Sequence, residues 1–342
     1  MKSYNLLTKK NPITYWLAIC CFMIVFMIVL GGFVRLTDSG LSIVEWKPIT
    51  GAIPPLSESD WHEEFSKYQN SPEFKHYNYD MSVSEFKFIF WSEFIHRLAG
   101  RLLGLLYLLP LIYFYLKGHL TQSKSWYLVI SLLLLLQGVM GWYMVKSGLI
   151  NNPHVSHFRL ALHLILAVII YSMLFWLFLK SSLEMLLIQG GGKLLWYKNI
   201  VVVSIALLFV QIFAGGLVAG LDAGLVYNSF PLMGSGFIPS EIMPYSLSAH
   251  NFSDPVFVQF HHRVIAYLLS GVISYLVVIL YRSKSRKLQK ISIYLALALF
   301  LQMFAGILTV LYSVPIVIAL LHQLGAMILL SILIWALYLL CS

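Results

Sequence analysis

Along this chain, long apolar runs alternate with short polar stretches. A bilayer-crossing helix needs about 20 mostly apolar residues. Runs that meet that length lie near 13–34, 86–116, 125–146, 158–179, 198–220, 256–281, 291–312 and 315–340. The pattern predicts an all-α integral membrane protein with eight transmembrane helices. The first run is too long for a signal peptide, and Gly31-Gly32-Phe33-Val34-Arg35 is not a small-residue cleavage site. It reads as a retained helix.

Composition agrees: 59% of the 342 residues are apolar and only 11% charged, against about 25% charged in soluble domains. The net charge of +9 does not mark a nucleic-acid-binding face, because the basic residues sit in short loops, where they act as topology signals. Lys2, Lys9 and Lys10 precede the first run; Lys117 and Lys124, then Lys180, Lys193 and Lys198, then Arg282, Lys284, Arg286, Lys287 and Lys290 occupy the later loops on the same side. The opposite loops carry Glu58, Asp60, Glu63, Glu64, Asp222, Glu241 and Asp254. Both termini are therefore expected in the cytoplasm, with the longest loop, 36–85, outside. Cys20, Cys21 and Cys341 lie in or at the end of apolar runs and form neither a CxxC pair nor a disulfide framework.

The runs fall into two repeats of four. Residues 31–41 (GGFVRLTDSGL) recur as 215–225 (GGLVAGLDAGL), and Glu93-Phe94-Ile95-His96-Arg97 recurs as Gln259-Phe260-His261-His262-Arg263. Gln137 and Gly141 recur as Gln302 and Gly306, and Leu162-His163 recurs as Leu321-His322, in the same order. Four spans per copy give a parallel repeat. The expectation is two pseudo-symmetric four-helix bundles, 1–190 and 191–342, each able to hold a cofactor between facing helices.

Of eleven histidines, His96, His163, His262 and His322 lie inside spans and have a counterpart in the other copy. A single membrane histidine serves well enough as a helix–helix hydrogen-bonding group, but recurrence points to ligands. The pairs His96/His163 and His262/His322 sit at similar depth, in the outer part of helices running inward. A small residue follows each at i+4 (Gly100, Ala167, Ala266, Ala326), on the same face, leaving room for a flat porphyrin edge. Two imidazoles without Cys or carboxylate fall short of a structural zinc site and suit a bis-His haem. His261 competes with His262; the His96-Arg97 alignment favours His262. Arg97 and Arg263 need an anionic partner within the membrane. Haem propionates fit, and for Arg97 so does Glu93 at i−4.

The copies differ where Glu93 stands against Gln259. Glu93, at i−3 from His96, is a candidate proton-transfer group beside a reactive haem; Gln259 cannot titrate. The N-terminal half therefore reads as the reactive site and the C-terminal half as a fixed electron-carrying haem. Two rivals remain: a non-catalytic bis-His dihaem electron-transfer cytochrome, and a haem carrier.

Residues 31–55, 85–101 and 260–263, with His163 and His322 in step, resemble the haem A synthase family (Cox15/CtaA) over nearly the whole chain. The resemblance implies oxidation of the C8 methyl group of haem O to a formyl group by two hydroxylations and a dehydration, giving haem A for cytochrome oxidase. It implies Glu93 as catalytic carboxylate, His96 and His163 facing the haem O substrate, and His262 and His322 ligating a haem b cofactor. It also implies haem O synthase and cytochrome oxidase assembly factors as partners. Some bacterial members carry a loop cysteine pair that this chain lacks, so it resembles the proteobacterial and mitochondrial branch. The N-terminus is not of the Arg/Ser-rich transit type, which favours a bacterial inner membrane. Small-residue patches permit homo-oligomers without specifying them.

Overall fold

A computed structural model describes residues 11–120, 124–150, 153–182, 192–242 and 249–341. The described residues form α-helices α1 (Pro12–Leu36), α2 (Glu58–Gln69), α3 (Pro72–His76), α4 (Val83–Leu116), α5 (Lys124–Lys146), α6 (His157–Ser182), α7 (Gly192–Gly220), α8 (Pro255–Tyr281), α9 (Arg286–Leu311) and α10 (Ile316–Cys341). Among these residues there is no β-strand, only an isolated bridge between Met233 and Gly236. Eight of the helices, all but α2 and α3, are long and apolar enough to cross a membrane. The chain is a multi-pass membrane protein. Lys2, Lys9, Lys10 and the expected boundary between halves at 190–191 lie outside the described residues, as does the side chain of Lys193.

Local sequence accounts for the helix starts. Asn11 caps α1 by accepting from the Ile13 N–H, with Pro12 behind it. Ser82 and Glu85 form a capping box on α4, and Asp254 with Pro255 starts α8. α7 and α9 begin five or six residues before the apolar runs at 198 and 291, in first turns that carry Lys193 in α7 and Arg286 and Lys287 in α9.

α1, α6, α7 and α10 touch one another in every pairing and make the centre of the molecule. α4 packs on α1 and α5, and α5 on α6; equivalently, α8 packs on α7 and α9, and α9 on α10. The core runs through Leu17, Cys20, Ile24, Leu174, Leu208, Ile273, Leu330 and Leu333. Polar cross-links add to it: Trp16 Nε1 donates to Leu106 O at 2.9 Å, Tyr107 Oη to Tyr127 O at 2.7 Å, and Gln323 Nε2 to Ile28 O at 3.0 Å. Such bonds hold helices together where lipid removes the hydrophobic incentive to associate.

The repeat extends to backbone conformation. Asp38 and Asp222, just past α1 and α7, share the left-handed region at φ 47° and 51°. The long loop after α1 is no bare connection. α2 lays Trp61, Phe65 and Tyr68 against Phe86, Phe90 and Phe94 of α4, and α3 adds Phe74, making a small aromatic core. The i, i+4, i+7 spacing of the three α2 aromatics is the helical signal.

Candidate functional site

The four histidines stand at one level. From Leu116 back to His96 is 20 residues, and 19 separate Ser182 from His163, Tyr281 from His262 and Cys341 from His322. At 1.5 Å per residue that is about 28–30 Å, the thickness of a bilayer's hydrocarbon core. All four therefore lie near the membrane boundary on the side of the long loop. α4 differs only in starting 13 residues ahead of His96, the extra turns carrying α2 and α3.

His96 of α4 and His163 of α6 lie within electrostatic range of each other, as do His262 of α8 and His322 of α10. Every imidazole rests against a glycine of the preceding span. A Cβ on Gly31 would stand 3.3 Å from His96 Nε2, one on Gly141 3.2 Å from His163 Cε1, one on Gly215 3.4 Å from His262 Cε1, and one on Gly306 2.7 Å from His322 Cε1. Four helix pairs thus repeat one contact, glycine under histidine. Each glycine is preceded at i−4, on the same face, by Met27, Gln137, Gln211 or Gln302. Gln137 Nε2 lies 3.3 Å from His163 Nε2 and donates to His163 O at 3.1 Å. Gln211 Nε2 lies 3.1 Å from both ring nitrogens of His262. His322 Nδ1 lies 3.1 Å from Gln302 O. In the His96 pairing a thioether replaces the amide, with Met27 Cε 3.6 Å from where a Gly100 Cβ would be.

These glycines and glutamines were missing from the expected site. Their signal was present as Gln-x-x-x-Gly in α5, α7 and α9, but the spacing alone does not say that it underlies a histidine on the next helix. The neighbours at 261 and 262 have different surroundings. His261 Nδ1 bonds Phe257 O of its own helix at 2.8 Å, whereas His262 meets α7.

The arginines after His96 and His262 hold loops. Arg97 donates to Ile43 O at 2.9 Å and Glu45 O at 3.3 Å; Arg263 donates to Tyr227 O at 2.8 Å and Ser229 O at 2.9 Å. In the repeat alignment Ile43 matches Tyr227 and Glu45 matches Ser229, so the two clamps are equivalent. Of the two partners expected for Arg97, the structure has Glu93: Oε1 pairs with Arg97 Nη2 at 2.6 Å. Glu93 Oε2 accepts from Ser42 Oγ at 2.7 Å and the Ile43 N–H at 2.8 Å. Its carboxylate turns toward the loop although its position shares a helix face with His96. Gln259, equally buried at 2%, donates to Tyr227 O at 3.1 Å.

Buried polar atoms without partners test the fit of a prosthetic group. Among the described residues these are Gln137 Oε1, His163 Nδ1, Gln211 Oε1, Gln302 Oε1, Gln259 Oε1, Arg263 Nε and Arg101 Nη1. All but the last surround the histidines or the Arg263 clamp. Unpaired buried polar atoms are rare in folded proteins. With paired imidazoles over glycines, the donor set fits a flat ligand with a metal centre and polar edges, in each half.

Site and fold together define a duplicated helical membrane protein with one histidine pair per copy. The chain belongs to the COX15-CtaA family, described as cytochrome oxidase assembly protein, which residues 14–334 match. It is 54% identical over 328 residues to a "Heme A synthase" of Rickettsia bellii, covering 96% of this chain and 97% of that protein. Proteins of the same name match from Rickettsia felis (52% over 328 residues; 96% and 97% of the two chains) and Rickettsia prowazekii (51% over 331 residues; 96% and 98%).

Proposed function

We propose that this chain is a haem A synthase, oxidising the C8 methyl group of haem O to the formyl group of haem A for cytochrome oxidase assembly. The observation that carries the reading is the fourfold histidine-on-glycine contact in a chain more than half identical, end to end, to proteins of that name. The halves are read as two four-helix bundles, 1–190 and 191–342. His96 and His163 face the substrate, and His262 and His322 hold haem b. When bound, haem b supplies one-electron transfer. Arg263 fixes the loop over its pair, and its unpaired Nε suits a propionate.

The chain's own part in the reaction is positioning and proton control. Glu93, on α4, pairs with Arg97 and accepts from Ser42 and Ile43 of the loop over the first site. Arg97 orients it, and Ser42 offers its Oγ–H as the first step of a proton path. The Glu93/Gln259 difference favours this reading over a dihaem electron carrier, whose halves would be interchangeable. Basic residues at Lys117, Lys124, Lys180 and Arg282 support cytoplasmic termini in a bacterial inner membrane. Haem O synthase and oxidase assembly factors are the partners this role requires.

The test is to extract haems from membranes of a strain that makes haem O, with and without the chain. Haem A appears only with it if the reading holds; equal haem A in both strains refutes it.

A further inference from the structure

Residues 46–56 (WKPITGAIPPL) form the most apolar exposed stretch of the long loop. Ile49 is 86% exposed, Leu56 80% and Ile53 68%. In water such a patch is a liability; here it runs beside the lipid-facing side of α4, where Leu102 and Leu105 are exposed too.

Its depth follows from Arg101. Arg97 takes the carbonyls of residues 43 and 45, and Arg101, one turn farther into the membrane, takes those of Pro48 at 2.9 Å and Lys47 at 3.0 Å. Arg101 lies 15 residues from Leu116, about 22 Å along the helix and inside a hydrocarbon core of about 30 Å. Its side chain reaches back toward the helix N-terminus, which sets the loop tip at the core's edge.

The part of the tip nearest Arg101 has its carbonyls paired. Carbonyls 47 to 50 all accept hydrogen bonds: Lys47 O from Gly51 N and Arg101, Pro48 O from Arg101, Ile49 O from Ala52 N, and Thr50 O from Ile53 N. Pro48, Pro54 and Pro55 have no N–H to satisfy. Irregular chain meets lipid only where its polar groups are paired. Arg101 corresponds to Tyr267 in the repeat, so this tether belongs to the first half alone.

We propose that residues 46–56 are an interfacial anchor in the lipid leaflet on the loop side, with Ile49, Ile53 and Leu56 in the headgroup–acyl boundary and Arg101 as the tether. Spin labels on Ile53→Cys, Leu102→Cys and Tyr79→Cys, with the three native cysteines replaced and the protein in phosphatidylcholine vesicles, test it. The label at 53 should favour oxygen over a water-soluble nickel chelate, as at 102, and unlike the exposed Tyr79 position. Equal access to both quenchers, or shielding from both as a second copy would give, overturns the anchor. In the unaltered protein, a membrane-confined carbene reagent should label 46–56 as it labels α4. Labelling of α4 without 46–56 overturns the proposal. Arg101→Gln should cut the loop's labelling several-fold and leave that of α4 unchanged; no change removes Arg101 as tether.

Discussion

The two halves hold their histidines in the same way and surround them differently. In each, a glycine of one span makes room for an imidazole of the next, and an arginine after His96 or His262 clamps carbonyls of the loop that precedes its helix. Among the positions that break the match are Glu93 against Gln259, Met27 against Gln211, and Arg101 against the exposed Tyr267. A carboxylate, a thioether and a second loop clamp are all on the side of His96. On the proposed reading, duplication fixed a scaffold for two flat ligands, and divergence at a few positions around one of them supplies what chemistry needs. The other half keeps amides, which bond without titrating.

The largest expected effect breaks this comparison at its carboxylate. Glu93→Gln should lower haem A formation by about 100-fold or more, in the range of lost acid–base catalysis. The second-half haem spectrum should persist; its loss would make Glu93 structural. The reverse change, Gln259→Glu, places an anion at i−4 from Arg263 and its unpaired Nε and should leave conversion within a few-fold of the parent.

A second break is steric. Gly306→Ala puts a methyl 2.7 Å from His322 Cε1, so the ring must shift, at about 1–3 kcal/mol for overpacking. Gly31→Ala meets His96 at 3.3 Å and needs far less. Haem retained per protein after purification should fall in the first variant and hold in the second.

The smallest effect concerns only the first half's loop. Glu73 is buried at 7% and bonded by Tyr68 Oη at 2.9 Å. Burial lifts its pKa to about 7, helped by the charges of Glu93 and Asp38 and opposed by the Tyr68 bond and Arg35. Because the folded value exceeds the unfolded one, its stabilisation is complete below about pH 4.5 and is lost as pH rises through about 7. Hydrogen exchange in α2 and α3, corrected for intrinsic rate, should quicken from pH 5 to 8. Glu73→Gln should flatten that dependence.

Much of this was legible in the chain. Eight apolar runs located eight spans, because lipid demands continuous apolar length, and the in-register repeat singled out four histidines from eleven. α7 extends ahead of the apolar run at 198 in a lysine-bearing first turn that reads as loop. α2 was overlooked although Ser57 and Asp60 form a capping box ahead of Trp61, Phe65 and Tyr68. Gly31, Gly141, Gly215 and Gly306 read as packing glycines. Their task depends on which residue of the next helix stands opposite, and that is a property of helix rotation rather than of spacing. Arg97 suited two partners equally on paper; only the loop's path, bringing Ser42 and Ile43 to Glu93, reveals the ion pair.

The central claim is that the halves share a scaffold and divide the work. Haem content and haem A output of purified His262→Ala/His322→Ala and His96→Ala/His163→Ala double variants test it most directly. The first should lose bound haem b, while the second should retain it and make no haem A. Loss of haem b from both, or haem A formation by the second, would contradict it.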